Sequence, residues 1–422
     1  MSEGRPITPL RTPLEATVRP PGSKSITNRV LVVAALARAG AVSRLIQPLE
    51  ADDTDVMRRG LRALGVMIDD VDDPWLVLGT GGELTGDVVI DAGASGTTAR
   101  FLTAVGSLAH GAVTIDGTER MRQRPISDLA EALTGLGVAV HTPTGCPPIT
   151  VRGPVTHHTT RVSGARSSQF LTAVLLIAPL LGSEVELEVV DGLVSSSYVD
   201  GTLEVMRAFG ADVSRDQTRF RIAPTGYEKA HFEIEPDASA AVYPAVAAAI
   251  AGGRVFVHGI PATSLQPDLA VLEVLRQMGA TVKREDAGFW VESDGAPLQP
   301  VDVDLSLAPD GALAVAVACL FAPGRSRLSG LRTLRMKETD RLAALQTELA
   351  RLGADVQVTD DTLTIVPGEL HGADIATYDD HRMAMAFSVA GLKIDGVRIL
   401  DPECVSKTWP GYFDVLEAMC QG

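Results

Sequence analysis

Two kinds of apolar segment alternate along the chain. In the first, a half-apolar run closes on a glycine and a β-branched stretch follows: LRALGVMI from Leu61, LTGLGVAV from Leu133, MRAFGADV from Met206, LRQMGATV from Leu275 and LARLGADV from Leu349. This pattern predicts an amphipathic helix, a left-handed glycine cap and then a strand. The capping glycines are Gly65, Gly137, Gly210, Gly279 and Gly353. Short segments such as WLVLGTGG, PPITVRGP, RFRIAPTG and FWVESDGA follow most of them and predict hairpins. The second kind is apolar nearly all round: VLVVAALARAG, RFLTAVGSLAHG, FLTAVLLIAPLLG, VYPAVAAAIAGG, LAVAVACLFAPG and MAMAFSVAGLKIDG. A helix without a polar face has to be enclosed.

The glycines ending this second set are Gly40, Gly111, Gly182, Gly253, Gly324 and Gly396, separated by 71, 71, 71, 71 and 72 residues. So regular a period marks six copies of one unit, each with a buried helix, an amphipathic helix and several strands. The unit is too long for common solenoids, and its contents predict compact α/β domains. A chain of 422 residues exceeds one ordinary core, so two domains are expected, each enclosing three buried helices.

Polar segments stand immediately before the six buried helices: GSKSITNR (22–29), GASGTTAR (93–100), GARSSQ (164–169), EPDASA (235–240), APDGA (308–312) and YDDHR (378–382). Their Ser, Thr and Asp residues suit N-capping. Capping does not account for Lys24 with Arg29, for Arg100, for Arg166, or for His381 with Arg382. A cation in a first turn opposes the helix dipole and costs up to about 1 kcal/mol. It is favourable where an anion lies between the cation and the free N–H groups. Equivalent repeats would aim six such helix starts into one cleft. The first segment is not a nucleotide-phosphate loop, because the glycine positions that such a loop needs before Lys24 hold Ser23 and Val18.

Composition sharpens this picture. The formal net charge of −16 excludes nucleic acid and anionic membrane as expected partners, so a local convergence of cations is informative. No apolar run approaches a membrane span, and the N-terminal MSEGRPITPL has no export signal. Four scattered cysteines (146, 319, 404 and 420) form no disulfide frame, which points to the cytoplasm.

Further charge gathers in RMRQRPI (Arg120 to Ile126), in RMKETDR (Arg335 to Arg341) and at Lys407 in SKTWPGYF. RMKETDR reads as the opening of an amphipathic helix. There Lys337 and Arg341 form a like-charge i,i+4 pair, mildly unfavourable unless an acid or ligand separates them. Asp310 and Glu338 are candidate acid–base groups, since a carboxylate among cations stays ionised and can accept a proton. His157–His158 lack a third ligand and predict no metal site, and DDVDD (69–73) reads as a solvated turn.

PGSKSITNR, GTTAR, RPI, SSQF, SSSYVD, PD before an apolar helix, KETDR, DHRMAM and KTWPGYF occur in this order. Together they resemble the 5-enolpyruvylshikimate-3-phosphate (EPSP) synthase family over essentially the whole chain. The resemblance implies a two-domain inside-out α/β barrel of six βαβαββ repeats, three per domain. Residues 1–20 plus 235–422 would form one domain and 21–234 the other, with the active site in the cleft between them. It also implies transfer of the enolpyruvyl group of phosphoenolpyruvate to the 5-hydroxyl of shikimate 3-phosphate, with release of phosphate, in aromatic amino acid biosynthesis. By resemblance, shikimate 3-phosphate is held by Lys24, Ser25, Arg29, Ser167, Ser168, Gln169, Ser195, Tyr198, Asp310 and Lys337. Phosphoenolpyruvate is held by Lys24, Gly96, Arg124, Gln169, Arg341, Arg382 and Lys407. Asp310 would take the 5-hydroxyl proton, and Lys24 and Glu338 would move a proton at the phosphoenolpyruvate methylene. The resemblance implies no metal, no organic cofactor and a monomer. The domains are expected to close on substrate.

Two positions depart from the family pattern. Ala94 and Thr333 stand where the family often has Asn, and no substrate contact is assigned to either. Gly96 is kept, and in the family this glycine leaves room for phosphoenolpyruvate and for glyphosate, so competition between the two is expected. UDP-N-acetylglucosamine enolpyruvyl transferase is the nearest alternative, but it typically carries Lys-Asn at Lys24-Ser25 and a Cys in the loop that here reads DGTERMRQRPI. A non-catalytic anion-binding protein would not need Asp310 or Glu338 among its cations.

Overall fold

The computed structural model describes residues 4–421. The second repeat shows the plan. Val88–Asp91 leads into the buried helix Gly96–Gly106 and then into Ala112–Asp116, which pairs parallel with Val88–Asp91. The helix Ser127–Gly135 follows, and then the hairpin of Ala139–His141 and Ile149–Arg152, whose second strand closes antiparallel on Ala112–Asp116. The buried helix is thus the crossover that a parallel pair requires. Among the described residues, five four-stranded sheets share this order, and the sixth repeat has three strands.

The described chain divides into two compact units, one of residues up to Pro21 and from Glu235 on, the other Gly22–Ile234. Each has its own apolar core. Two sheets take their first strand from far along the chain. Leu14–Val18 pairs parallel with Gly253–His258, and His231–Glu233 pairs parallel with Val42–Ile46. Each unit therefore closes its repeat set with a borrowed strand. Arg5–Pro6 likewise pairs with Arg398–Ile399 in the sixth sheet.

All six glycines that set the period adopt positive φ: 79° at Gly40, 131° at Gly111, 73° at Gly182, 100° at Gly253, 135° at Gly324 and 82° at Gly396. Chain reversal after each buried helix needs this conformation, which explains the regular spacing. At Gly253 the requirement is also steric, because a Cβ there would lie 2.1 Å from the Leu14 carbonyl oxygen on the borrowed strand.

The helix starts mostly carry the caps read from sequence. Ser95 accepts from the Thr98 N–H, Ser167 from Gln169, Asp237 from Ala240 and Asp380 from Arg382. RMKETDR differs from its sequence reading. The helix begins only at Arg341 because Asp340 caps it by accepting from the Ala343 N–H at 3.1 Å, and Lys337 and Glu338 lie in the preceding turn. Among the described residues, no helix is long and apolar enough to cross a membrane.

Candidate active site

In the Gly22–Ile234 unit, three buried-helix starts carry most of the expected residues. Lys24 opens the helix Lys24–Leu36, and its Nζ lies 3.3 Å from Oδ2 of Asp53, a nearly buried acid at the start of the next helix. Arg29, one turn on, is buried. Its Nε donates to Thr202 Oγ1 at 2.8 Å, Nη1 to the Ser25 carbonyl at 2.7 Å and Nη2 to the Tyr198 carbonyl at 3.4 Å. The guanidinium also lies over the Phe101 ring at 5.5 Å. Burial pulls Arg29 down to about 10, so it stays charged at neutral pH. Arg29 thus ties the first buried helix to Ser197–Ala208, the helix that carries Tyr198.

Gly96 is the first residue of the second buried helix, and the Arg124 guanidinium packs flat on it. A Cβ at Gly96 would lie 2.5 Å from Arg124 Nη2. Arg124 Nη1 donates to the Ala94 carbonyl at 3.4 Å. Arg100 bridges the Gly96 and Pro125 carbonyls at 3.2 and 3.1 Å, which fixes the Arg124 loop against the helix. Only one of the three arginines in RMRQRPI turns inward. Arg122 pairs with Asp116 at the surface and Arg120 is half-buried. At the third helix start, Gln169 Nε2 donates to Thr97 Oγ1 at 3.3 Å, which links the second and third starts. Ser168 is buried, and Ser195, also buried, adopts a φ of 51° in the turn before Tyr198.

The other unit gathers a denser ionic cluster. Arg341 is 1% exposed and makes a two-point pair with Asp380, Nε to Oδ2 at 2.7 Å and Nη2 to Oδ1 at 3.1 Å. Its Nη1 reaches Asp310 Oδ1 at 2.9 Å and its Nη2 reaches Glu338 Oε2 at 3.0 Å. Lys337 Nζ lies 3.1 Å from the same Asp310 oxygen, and Arg382 Nη2 lies 3.3 Å from the other. Asp310 is therefore the acid that separates the like-charged Lys337 and Arg341. Burial would raise the Asp310 carboxyl, but Lys337, Arg382 and Arg341 outweigh it and hold it well below the usual carboxylate range. Burial would likewise lower Arg382, and Asp310, Tyr243, Asp268 and Asp237 hold it well above its ordinary value instead. Lys407, at the end of the turn Pro402–Lys407, is nearly buried in the same unit.

Sequence reasoning missed the acids that organise these cations. Asp53 and Asp268 carry no mark in the sequence, and Asp380 stands only among the capping residues of YDDHR. Asp268 is in fact buried, accepting the Gly311 N–H at 3.1 Å and bonding Ser239, beside the backbone that carries Asp310. One signal for Asp380 was present: DDHR offers more acid than a single cap uses.

The fold and the two ionic clusters define a class: a two-unit α/β protein of six βαβαββ repeats whose helix starts carry groups suited to anions. Residues 10–416 match the family of EPSP synthase (3-phosphoshikimate 1-carboxyvinyltransferase), and the chain belongs to this family. It is 39% identical over 410 residues to the 3-phosphoshikimate 1-carboxyvinyltransferase of Methanoculleus marisnigri, covering 96% of each chain. It is 42% identical over 423 residues to that of Thiobacillus denitrificans, covering 96% of this chain and 97% of the relative. Its fold is similar to that of EPSP synthase from Acinetobacter baumannii, with a TM-score of 0.80 at 24% identity over 98% of this chain and 97% of that one. It is also similar to the enolpyruvyl transferase NikO from Streptomyces tendae, with a TM-score of 0.74 at 18% identity over 99% and 98%.

Proposed function

We propose that the protein is a 3-phosphoshikimate 1-carboxyvinyltransferase, which transfers the enolpyruvyl group of phosphoenolpyruvate to the 5-hydroxyl of shikimate 3-phosphate. The observation that carries this reading is the position of Asp310, a buried carboxylate held between Lys337, Arg341 and Arg382. An anion-binding module needs the cations but has no use for a carboxylate competing with its ligand. A transferase needs both.

The chemistry follows from the charges. In the resting cluster Asp310 is a weak base, because three cations stabilise its ionised form. Binding of a phosphate or carboxylate to Arg341 and Arg382 neutralises part of that charge and raises the basicity of Asp310 where it is needed. Asp310 then takes the proton of the 5-hydroxyl as its oxygen attacks C2 of phosphoenolpyruvate. A proton reaches the methylene carbon from Lys24 or Glu338, giving a tetrahedral intermediate. Loss of a methyl proton and of phosphate from that intermediate forms the enolpyruvyl ether. Lys24, Gly96, Arg124, Gln169, Arg341, Arg382 and Lys407 serve phosphoenolpyruvate. Lys24, Ser25, Arg29, Ser167, Ser168, Gln169, Ser195, Tyr198, Asp310 and Lys337 serve shikimate 3-phosphate. Within this set Arg29 contributes through the position of Ser25 and Tyr198 as well as through its charge. The protein works as a cytoplasmic monomer.

The direct test is phosphate release from phosphoenolpyruvate with either acceptor. Release with shikimate 3-phosphate and none with UDP-N-acetylglucosamine is expected. Release with the second acceptor alone would overturn the reading.

A further inference from the structure

The segment that delivers Asp380 and Arg382 is held in an unusual way. Tyr378 and Asp379 are consecutive non-glycine residues with φ of 57° and 55°, a conformation that L-residues rarely adopt. The turn closes when the Asp380 N–H donates to the Thr377 carbonyl at 2.9 Å. Both ends of this turn are tied to one helix, Arg341–Arg351. At its start, Arg341 takes the Asp380 carboxylate at two points. Seven residues on, two turns along the same helix face, the fully buried Glu348 holds the other end. The Tyr378 hydroxyl donates to Glu348 Oε1 at 2.7 Å, and the Ala376 N–H donates to Oε2 at 3.3 Å. Arg351 Nε lies 3.1 Å from the same Oε2, which supplies the counter-charge that a buried carboxylate requires.

We propose that Glu348 and Tyr378 are positioning residues for Asp380 and for the anion-binding Arg382 that follows it: their hydrogen bond holds a strained turn that otherwise relaxes and withdraws Arg382 from Asp310. Neither touches the groups assigned to substrate, and nothing in the sequence pairs Glu348 with Tyr378. The clamp suits this duty because its donor does not ionise. Burial, with the Glu348 carboxylate alongside, pushes the Tyr378 phenol up to about 12. Displacement of Arg382 by even about 1 Å is enough to cost a large factor in a reaction that depends on placed charge. The proposal rests on the reading of Arg382 as a phosphoenolpyruvate ligand for its kinetic consequence, though not for its structural one.

Tyr378 is 40% exposed, so Tyr378→Phe removes the hydroxyl without opening a core cavity. The expected result is a KM for phosphoenolpyruvate raised about tenfold, with the KM for shikimate 3-phosphate held within about twofold. Adding Asp379→Gly, which takes the left-handed conformation without strain, restores the first KM to within about threefold of the wild type. An unchanged KM for phosphoenolpyruvate in Tyr378→Phe, or no recovery with the added glycine, overturns the clamp. Amide hydrogen exchange across 376–382 in the ligand-free protein reads the same clamp without reference to substrate. Exchange faster in Tyr378→Phe than in the wild type is expected, and equal exchange overturns the proposal. A wild type inactive with shikimate 3-phosphate would instead refute the assigned reaction and leave the exchange test standing.

Discussion

At the scale of single residues, position matters more than charge count. Gly96 is small because Arg124 lies on it, and a Cβ there would sit 2.5 Å from Nη2 and 2.8 Å from Cζ. Gly96→Ala must push the guanidinium away, so a KM for phosphoenolpyruvate raised on the order of tenfold is expected, with little change for shikimate 3-phosphate, in steady-state assays. Asp310 illustrates the converse, a carboxylate whose surroundings set its acidity. Its folded value lies below the unfolded one. Its ionisation therefore stabilises the fold at neutral pH, and that contribution is lost as pH falls below about 3.9 and on through the folded value. Asp310→Asn should lower kcat by about 10²–10⁴-fold. In urea unfolding its destabilisation should be full at pH 7 and shrink in acid. The sequence showed Asp310 and the cations through their local motifs. It hid Asp53, Asp268 and Glu348, because an acid in a helix first turn or on an amphipathic helix looks alike whether water or an arginine faces it.

At the scale of the element, the repeat was legible for a physical reason. A helix apolar on all sides must be enclosed, and the chain leaving it must reverse through a left-handed residue. Run and glycine therefore recur together, as Gly40 through Gly396 show. The origin of each first strand was not legible. Leu14–Val18 and His231–Glu233 join sheets whose other strands are far away in sequence, and nothing local announces such a partner. Gly253 makes that borrowing possible. Gly253→Ala should cost at least about 2 kcal/mol in denaturant unfolding, from the left-handed φ plus the collision with Leu14. At Gly182, where nothing lies within 4 Å of the added Cβ, the same change should cost about 1 kcal/mol. Equal costs at both sites would show that the Leu14 contact is unimportant.

At the scale of the molecule, a chain of net charge −16 buries several of its cations at or near helix starts and pairs Arg341 and Arg382 among them with acids. Arg341 alone meets Asp380, Asp310 and Glu338. Such a cluster is compact and charge-balanced, and in the proposed mechanism anionic substrates would shift that balance toward a working base. The proposed mechanism is addition to phosphoenolpyruvate followed by elimination, with a proton placed on the methylene carbon and then removed. The most direct test is proton and phosphorus NMR of the product formed from phosphoenolpyruvate and shikimate 3-phosphate in deuterium oxide. The expected product is an enolpyruvyl ether at the 5-oxygen that carries deuterium on its vinyl carbon, formed with one phosphate released. A product free of deuterium, or one joined elsewhere than the 5-oxygen, would contradict it.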